Sequence, residues 1–226
     1  MADYNIHARQ ERVRSKVLHT SAELFLQKGY VNSTLREIAQ LSGIKYGSLT
    51  FAFKSKENIL SDLVGVVLDY QFERTERLLA DKTKDGLLIY ASEITLQLYM
   101  AESSEHIREL YTLSYSQHSS SEVIYEKITM KLAEFFRERY PDFDAGDFYE
   151  KELAAAGIMR NYLTRPSDMF FPMERKVRAF LENTLLLYEV DKNTRRETIE
   201  FVSRFDWKKI AEDAIDNMLA YLESKI

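Results

Sequence analysis

From Val13 onward apolar residues return every three or four positions along most of the chain, the period of a helix with one buried face. Val17, Leu18, Leu24 and Phe25 form the first stripe, with Ser21 in register, and Gly29 ends it. Ser33 and Thr34 can cap a short second helix that turns Leu35, Ile38 and Ala39 inward. Gly43 breaks that helix, and a third, about residues 45–52, keeps Leu49 on the inner side with Phe53 beyond it. Ser55 then caps a long helix whose stripe is Ile59, Leu60, Leu63, Val66, Val67 and Tyr70. Seven more helices are predicted at about 87–101, 105–117, 120–139, 147–165, 173–189, 195–203 and 207–224. The breaks between them fall at Asp85-Gly86, at Pro141 with Gly146, at Pro166 and Pro172, and at 191–194. No segment alternates with period two for long, and there is no repeat or low-complexity tract. The fold class is all-α.

Composition narrows the chemistry. Seven Gly and three Pro in 226 residues are too few for a fold that turns every dozen residues. The absence of cysteine excludes disulfide scaffolds, thiolate metal sites and cysteine nucleophiles. The first twelve residues are polar, and no window approaches the ~18 apolar residues of a spanning helix. The expectation is a cytoplasmic protein that meets no membrane. The net charge of −5 is unevenly spread: residues 1–56 carry nine Lys/Arg against four acids, while the remainder carries 22 against 32. A basic head on an acidic body is suited to a polyanion met by the head alone.

Two short helices joined by a glycine turn, after a longer supporting helix, have the sequence form of a helix-turn-helix. Ala39 is small where the pair crosses, Gly43 is free to take positive φ, and Ile38, Ile44 and Leu49 supply a small core. The segment from Val17-Leu18 and Leu24-Phe25 through Gly29-Tyr30, Ser33-Thr34, Ile38-Ala39, Gly43-Ile44 and Gly47-Ser48-Leu49 to Phe53-Lys54-Ser55-Lys56-Glu57 resembles the DNA-binding domain of TetR/AcrR-family transcriptional regulators. The resemblance covers the first quarter of the chain. It implies a helix-turn-helix domain over 1–54 and an effector-binding and dimerisation domain over 55–226. Its implied partners are a double-stranded DNA operator, a small-molecule effector and a second copy of the chain, with no cofactor. The implied activity is that of a repressor released by a small effector, and an aromatic, moderately polar cavity among the tyrosine-rich middle helices would suit an amphipathic one.

The recognition helix departs from the family pattern. Thr50 stands where a Tyr often touches DNA, and Phe51-Ala52 follow where an aromatic and a His or second aromatic are usual. Lys45, Tyr46, Gly47, Ser48 and Thr50 are the groove candidates, Gly47 because a bare backbone comes close to base edges. Lys54 and Lys56 flank a helix start that already favours an anion, which makes them phosphate candidates. Ser33 and Thr34 are caps and, through the same hydroxyls, phosphate candidates. Arg36 is either a base contact or a solvated side chain. Arg9, Arg12 and Arg14 are either a mobile arm or a plain helix start.

In the body, two stripes are candidates for pairing between copies: Val177, Phe180, Leu181, Thr184, Leu187 and Tyr188, and Trp207, Ile210, Ala214, Ile215, Met218 and Leu222. The alternative is that they finish the monomer core. The middle helices are rich in tyrosine, whose buried hydroxyls need partners. Tyr99, Tyr111, Tyr115, His118, Phe135, Met159 and Tyr162 are the candidate lining of an effector cavity. Rival readings are an enzyme and an interaction module that has lost DNA binding. The four His are scattered and no metal-ligand or phosphate-loop motif is present, so the expectation is no catalysis and no metal site. Thr50 and Ala52 are the features that leave room for the interaction module.

Overall fold

The computed structural model describes the backbone of residues 2–225 and the side chains of residues 10–224. Among these residues there are eleven helices and no strands, as the apolar period predicts. They are α1 (Ala2–Lys28), α2 (Leu35–Ser42), α3 (Tyr46–Ala52), α4 (Lys56–Leu79), α5 (Gly86–Glu102) and α6 (Glu105–Ser114), followed by α7 (His118–Phe135), α8 (Ala145–Leu163), α9 (Met173–Leu187), α10 (Lys192–Val202) and α11 (Trp207–Lys225).

The caps explain most of the boundaries. The Thr34 hydroxyl accepts the Glu37 N–H at 3.2 Å and starts α2; Gly43, at φ 66°, ends it while Ile44 N–H donates back to the Ala39 carbonyl. Ser55 accepts the Asn58 N–H and starts α4. Asp144 and Asp147 form a reciprocal capping box at α8. α10 begins three residues earlier than the apolar period predicts, because the Asp191 carboxylate accepts from Asn193 and Thr194 N–H.

α5 is the axis of the body. Residues on every side of it are buried, so it reads as a core helix rather than an amphipathic one. α4, α6, α7, α9, α10 and α11 pack around it. Its first residue, Gly86, lies so close to the end of α7 that a Cβ would stand 2.3 Å from the Phe135 carbonyl oxygen. Gly86→Ala must therefore push the two helices apart. The expected cost is about 1–3 kcal/mol, read as a lower urea midpoint with an unchanged slope.

A single contiguous core runs from Val17 in α1 to Leu222 in α11. The two stripes predicted for pairing belong to it. Val177, Phe180, Leu181, Thr184, Tyr188, Trp207, Ala214, Met218 and Leu222 are buried within one chain, and Leu187, Ile210 and Ile215 are half-buried. α9 faces α5, α8 and α10, and α11 faces α1, α4 and α5, so the buried members of both stripes finish the monomer and are not free for a partner. No helix among the described residues is long and apolar enough to cross a membrane.

Candidate nucleic-acid interface and effector cavity

The small core of the head is Ile38, Ala39, Leu49 and Phe53, packed on α1. With Leu49 and Phe53 turned in, the opposite face of α3 is left to solvent. Lys45, Tyr46, Gly47 and Ser48 are exposed there, with Thr34 and Arg36 on the neighbouring turn of α2 and Lys54 beyond the end of α3. The Thr50 hydroxyl donates to carbonyls in its own helix, and the residue is half-buried. Phe51 is 78% exposed on the same face, opposite Leu49 on the helix. The position was readable from the helical period, but residue type pointed to the polar neighbours instead.

Several predicted contacts have other work. Ser33 is buried, and its hydroxyl donates to the Gly29 carbonyl at 2.7 Å. The Lys56 ammonium turns inward, donating to the carbonyls of Tyr30 and Ser33 at 2.6 and 2.7 Å and lying 4.1 Å from the Tyr30 ring centre. Burial pushes its pKa below the usual lysine range. Ser33 and Lys56 therefore brace the turn between α1 and α2 rather than reach a phosphate. Arg14 donates to the Ala52 carbonyl and to Asp62 and lies over the Phe53 ring, so it ties α1 to the end of α3 and to α4. It is no mobile arm; Arg12 is exposed, and the Arg9 side chain lies outside the described residues.

Behind the head is a cavity of about 80 Å³. Its walls are Ala22, Phe25 and Leu26 of α1, the inner face of α4 from Leu60 to Gln71, Gln97 and Met100 of α5, Ile107 to Ser114 of α6 with Tyr115, Ile124 of α7, and Met218 and Leu222 of α11. Tyr111 and Tyr115 line it as predicted. The Tyr111 hydroxyl meets the Gln71 amide at 2.5 Å, and the Tyr115 hydroxyl donates to Gln97 at 3.1 Å. The other five predicted residues are elsewhere. His118 is the first residue of α7, with its side chain 87% exposed. Phe135 borders an open surface groove beside Gly86, and Met159 is core. Tyr162 packs edge-on to Phe171 and Phe180, and Tyr99 is half-buried away from the cavity. A tyrosine count along the sequence does not say which way each ring turns.

α6 joins the cavity to the head. While Ile107, Leu110 and Tyr111 face inward, the Glu109 carboxylate accepts the N–H groups of Tyr30 at 2.8 Å and Val31 at 3.2 Å. His106 Nδ1 lies 3.0 Å from the Leu26 carbonyl oxygen, which can only accept, so the proton sits on that nitrogen. Gly29, at φ 87°, makes the approach possible: a Cβ there would stand 2.7 Å from Glu109 Oε2. Glu102 and His106, one helical turn apart by number, fall on different helices. Glu102 is paired with the buried Lys176 at 2.9 Å. No group of three or more potential metal ligands occurs among the described residues.

Comparison with known proteins agrees with this geometry. Residues 17–63, which span the end of α1 through the first part of α4, match the family described as bacterial regulatory proteins, tetR family. The HTH-type transcriptional repressor KstR2 of Mycobacterium tuberculosis is 33% identical over 122 residues, covering 53% of this chain and 52% of that protein. The HTH-type transcriptional regulator QacR of Staphylococcus aureus is 28% identical over 113 residues, covering 49% of this chain and 60% of that one. The chain thus spans about half the length of these curated relatives. SmeT, described as the repressor of the Stenotrophomonas maltophilia multidrug efflux pump SmeDEF, shares the fold. It aligns with a TM-score of 0.52 at 16% identity, over 76% of this chain and 88% of its own. The helix-turn-helix head and the matched segment thus make residues 17–63 similar to the tetR family of bacterial regulatory proteins, and the all-helical body has the fold of SmeT.

Proposed function

We propose that the chain is a DNA-binding transcriptional repressor released from its operator by a small amphipathic molecule. Residues 1–54 form the reading unit and residues 55–226 the body. The observation that carries this reading is the exposed face of α3, where Lys45, Tyr46, Gly47, Ser48 and Phe51 stand clear of the core with Thr34, Arg36, Thr50 and Lys54 around them. A helix presented in this way is shaped for the major groove, with Lys45 and Lys54 on phosphates.

One head buries little DNA, so the functional unit is a homodimer reading half-sites about 34 Å apart. The face left for a partner is the outer side of α8 and α9. Leu153, Ala154 and Gly157 of α8 and Leu186 of α9 are exposed there.

The cavity is far below the ~300–1,000 Å³ of an occupied small-molecule site, so an effector has to displace a wall. α6 is the wall tied directly to the turn before α2 through Glu109, and α4 continues from the head. Displacement of either turns α2 and α3 away from the groove spacing.

The test is a salt titration of binding to DNA from the chain's own promoter region. Counterion release predicts affinity falling steeply with ionic strength. Lys45→Ala and Lys54→Ala are each expected to reduce the slope of log K against log salt by about 0.9. A chain with no salt-sensitive binding to any duplex would favour an interaction module, for which the exposed Phe51 would be a contact.

A further inference from the structure

Beside the cavity lies a polar interior that the chain leaves unfinished. Glu93 is completely buried in α5, and neither carboxylate oxygen has a hydrogen-bond partner among the described residues. It sits one turn before Gln97 on the same face of the helix, and Gln97 lines the cavity. Its charge bears on the hydroxyls of Tyr111 and Tyr115, which also line the cavity, and on the second buried carboxyl, Glu152 of α8. Tyr90 and Tyr188 complete the surround, with ring centres 5.7 Å apart. An unpartnered buried carboxyl costs a folded chain several kcal/mol unless something arrives to satisfy it.

We propose that the effector carries a basic nitrogen on an apolar body, and that Glu93, with Glu152 beside it, receives that nitrogen in the polar interior next to the cavity. This rests on the effector-responsive reading above and names the ligand's chemical class. The apolar walls of α1, α4 and α6 take the body of the ligand. An ammonium group supplies the charge and the N–H donors that the Glu93 carboxyl lacks, in a setting where tyrosine faces also favour a cation. A carboxylate or phosphate ligand would bring a third acceptor to a site that already holds two.

The pairing has a proton balance. In the empty chain burial raises Glu93 to about 8, so at neutral pH it is mostly protonated. The other titratable groups around it, Tyr90, Tyr111, Tyr115 and Glu152, are also raised by burial and stay neutral there. An alkylammonium that binds as a cation pairs with the ionised carboxylate, and the Glu93 proton leaves to solvent.

The probes are hexylammonium, hexanol and hexanoate, which share one apolar body and differ in charge. They are titrated calorimetrically into the 226-residue chain in two buffers of different ionisation enthalpy. The expected result is one-to-one binding of hexylammonium at least tenfold tighter than hexanol, with hexanoate weakest and close to one proton released at pH 7. Glu93→Gln should bring the three affinities within threefold and abolish the proton release. Should that variant fail to fold, Glu152→Gln should narrow the preference in the same direction. Equal or tighter binding of hexanol or hexanoate, no binding of any of the three, or a tenfold cation preference surviving in Glu93→Gln would each overturn the proposal. Because the readout is ligand binding alone, a chain that takes the cation yet ignores DNA would sink the repressor reading and leave this one standing.

Discussion

Between pH 5 and pH 8 the folded chain is expected to lose several kcal/mol of stability, and Glu93→Gln is expected to remove a substantial part of that loss. Glu93 is raised from 4.5 to about 8 by burial. The sign follows from proton counting. Between those two values the folded state holds a proton that the unfolded state has released, so stability falls as pH rises and the Glu93 contribution levels off above about 8. The difference between the two values corresponds to about 5 kcal/mol at full ionisation. Glu152 is raised in the same sense, by burial first and by Glu93 second, and steepens the fall. The tyrosines beside them titrate still higher and offset nothing in this range. Glutamine keeps the shape of the carboxyl and cannot ionise, so the variant should be the more stable chain at pH 8. Urea midpoints measured from pH 5 to pH 9 check this, and parallel curves for the two proteins would contradict it.

The second large effect is expected from Glu109→Ala. Hydrogen bonds to a charged acceptor are worth about 1.5–3 kcal/mol each, and this carboxylate accepts two from the backbone at Tyr30 and Val31. Amide exchange at those two positions should therefore speed up by about tenfold or more, while the buried amides of α5 keep their protection. If α6 transmits occupancy of the cavity to the head, the same variant should still bind effector but lose the coupling. A response of about 5- to 150-fold in operator affinity, the range for a coupling of 1–3 kcal/mol, would shrink towards unity. A variant that responds as fully as the parent would show that α4 alone carries the signal.

Both effects arise where the tertiary structure brings together residues that are unremarkable in the linear chain. Glu93 sits between Ser92 and Ile94 in a helix whose many apolar residues mark it as core. Its lack of a partner becomes visible only when six other helices close around α5. Glu109 looks like a solvated helix residue until Gly29, 80 positions earlier, is found against it. Lys56 shows the same limit from the other side. By sequence it stands at a helix start where a phosphate would bind, yet two carbonyls of the α1–α2 turn take its ammonium.

The linear order was enough for the helices, their approximate ends and the helix-turn-helix, because these depend on period, caps and glycine turns within a few residues of one another. It also separated the inner from the outer face of α3, since Leu49 and Phe53 are one turn apart. It was not enough for the apolar stripes of α9 and α11, which fit a partner copy or the chain's own core equally well. Only the packing of α5 among its neighbours decided that they belong to the core. The same holds for the cavity: a side chain's type says what it can contact, whereas which helix stands opposite is decided by contacts between distant parts of the chain.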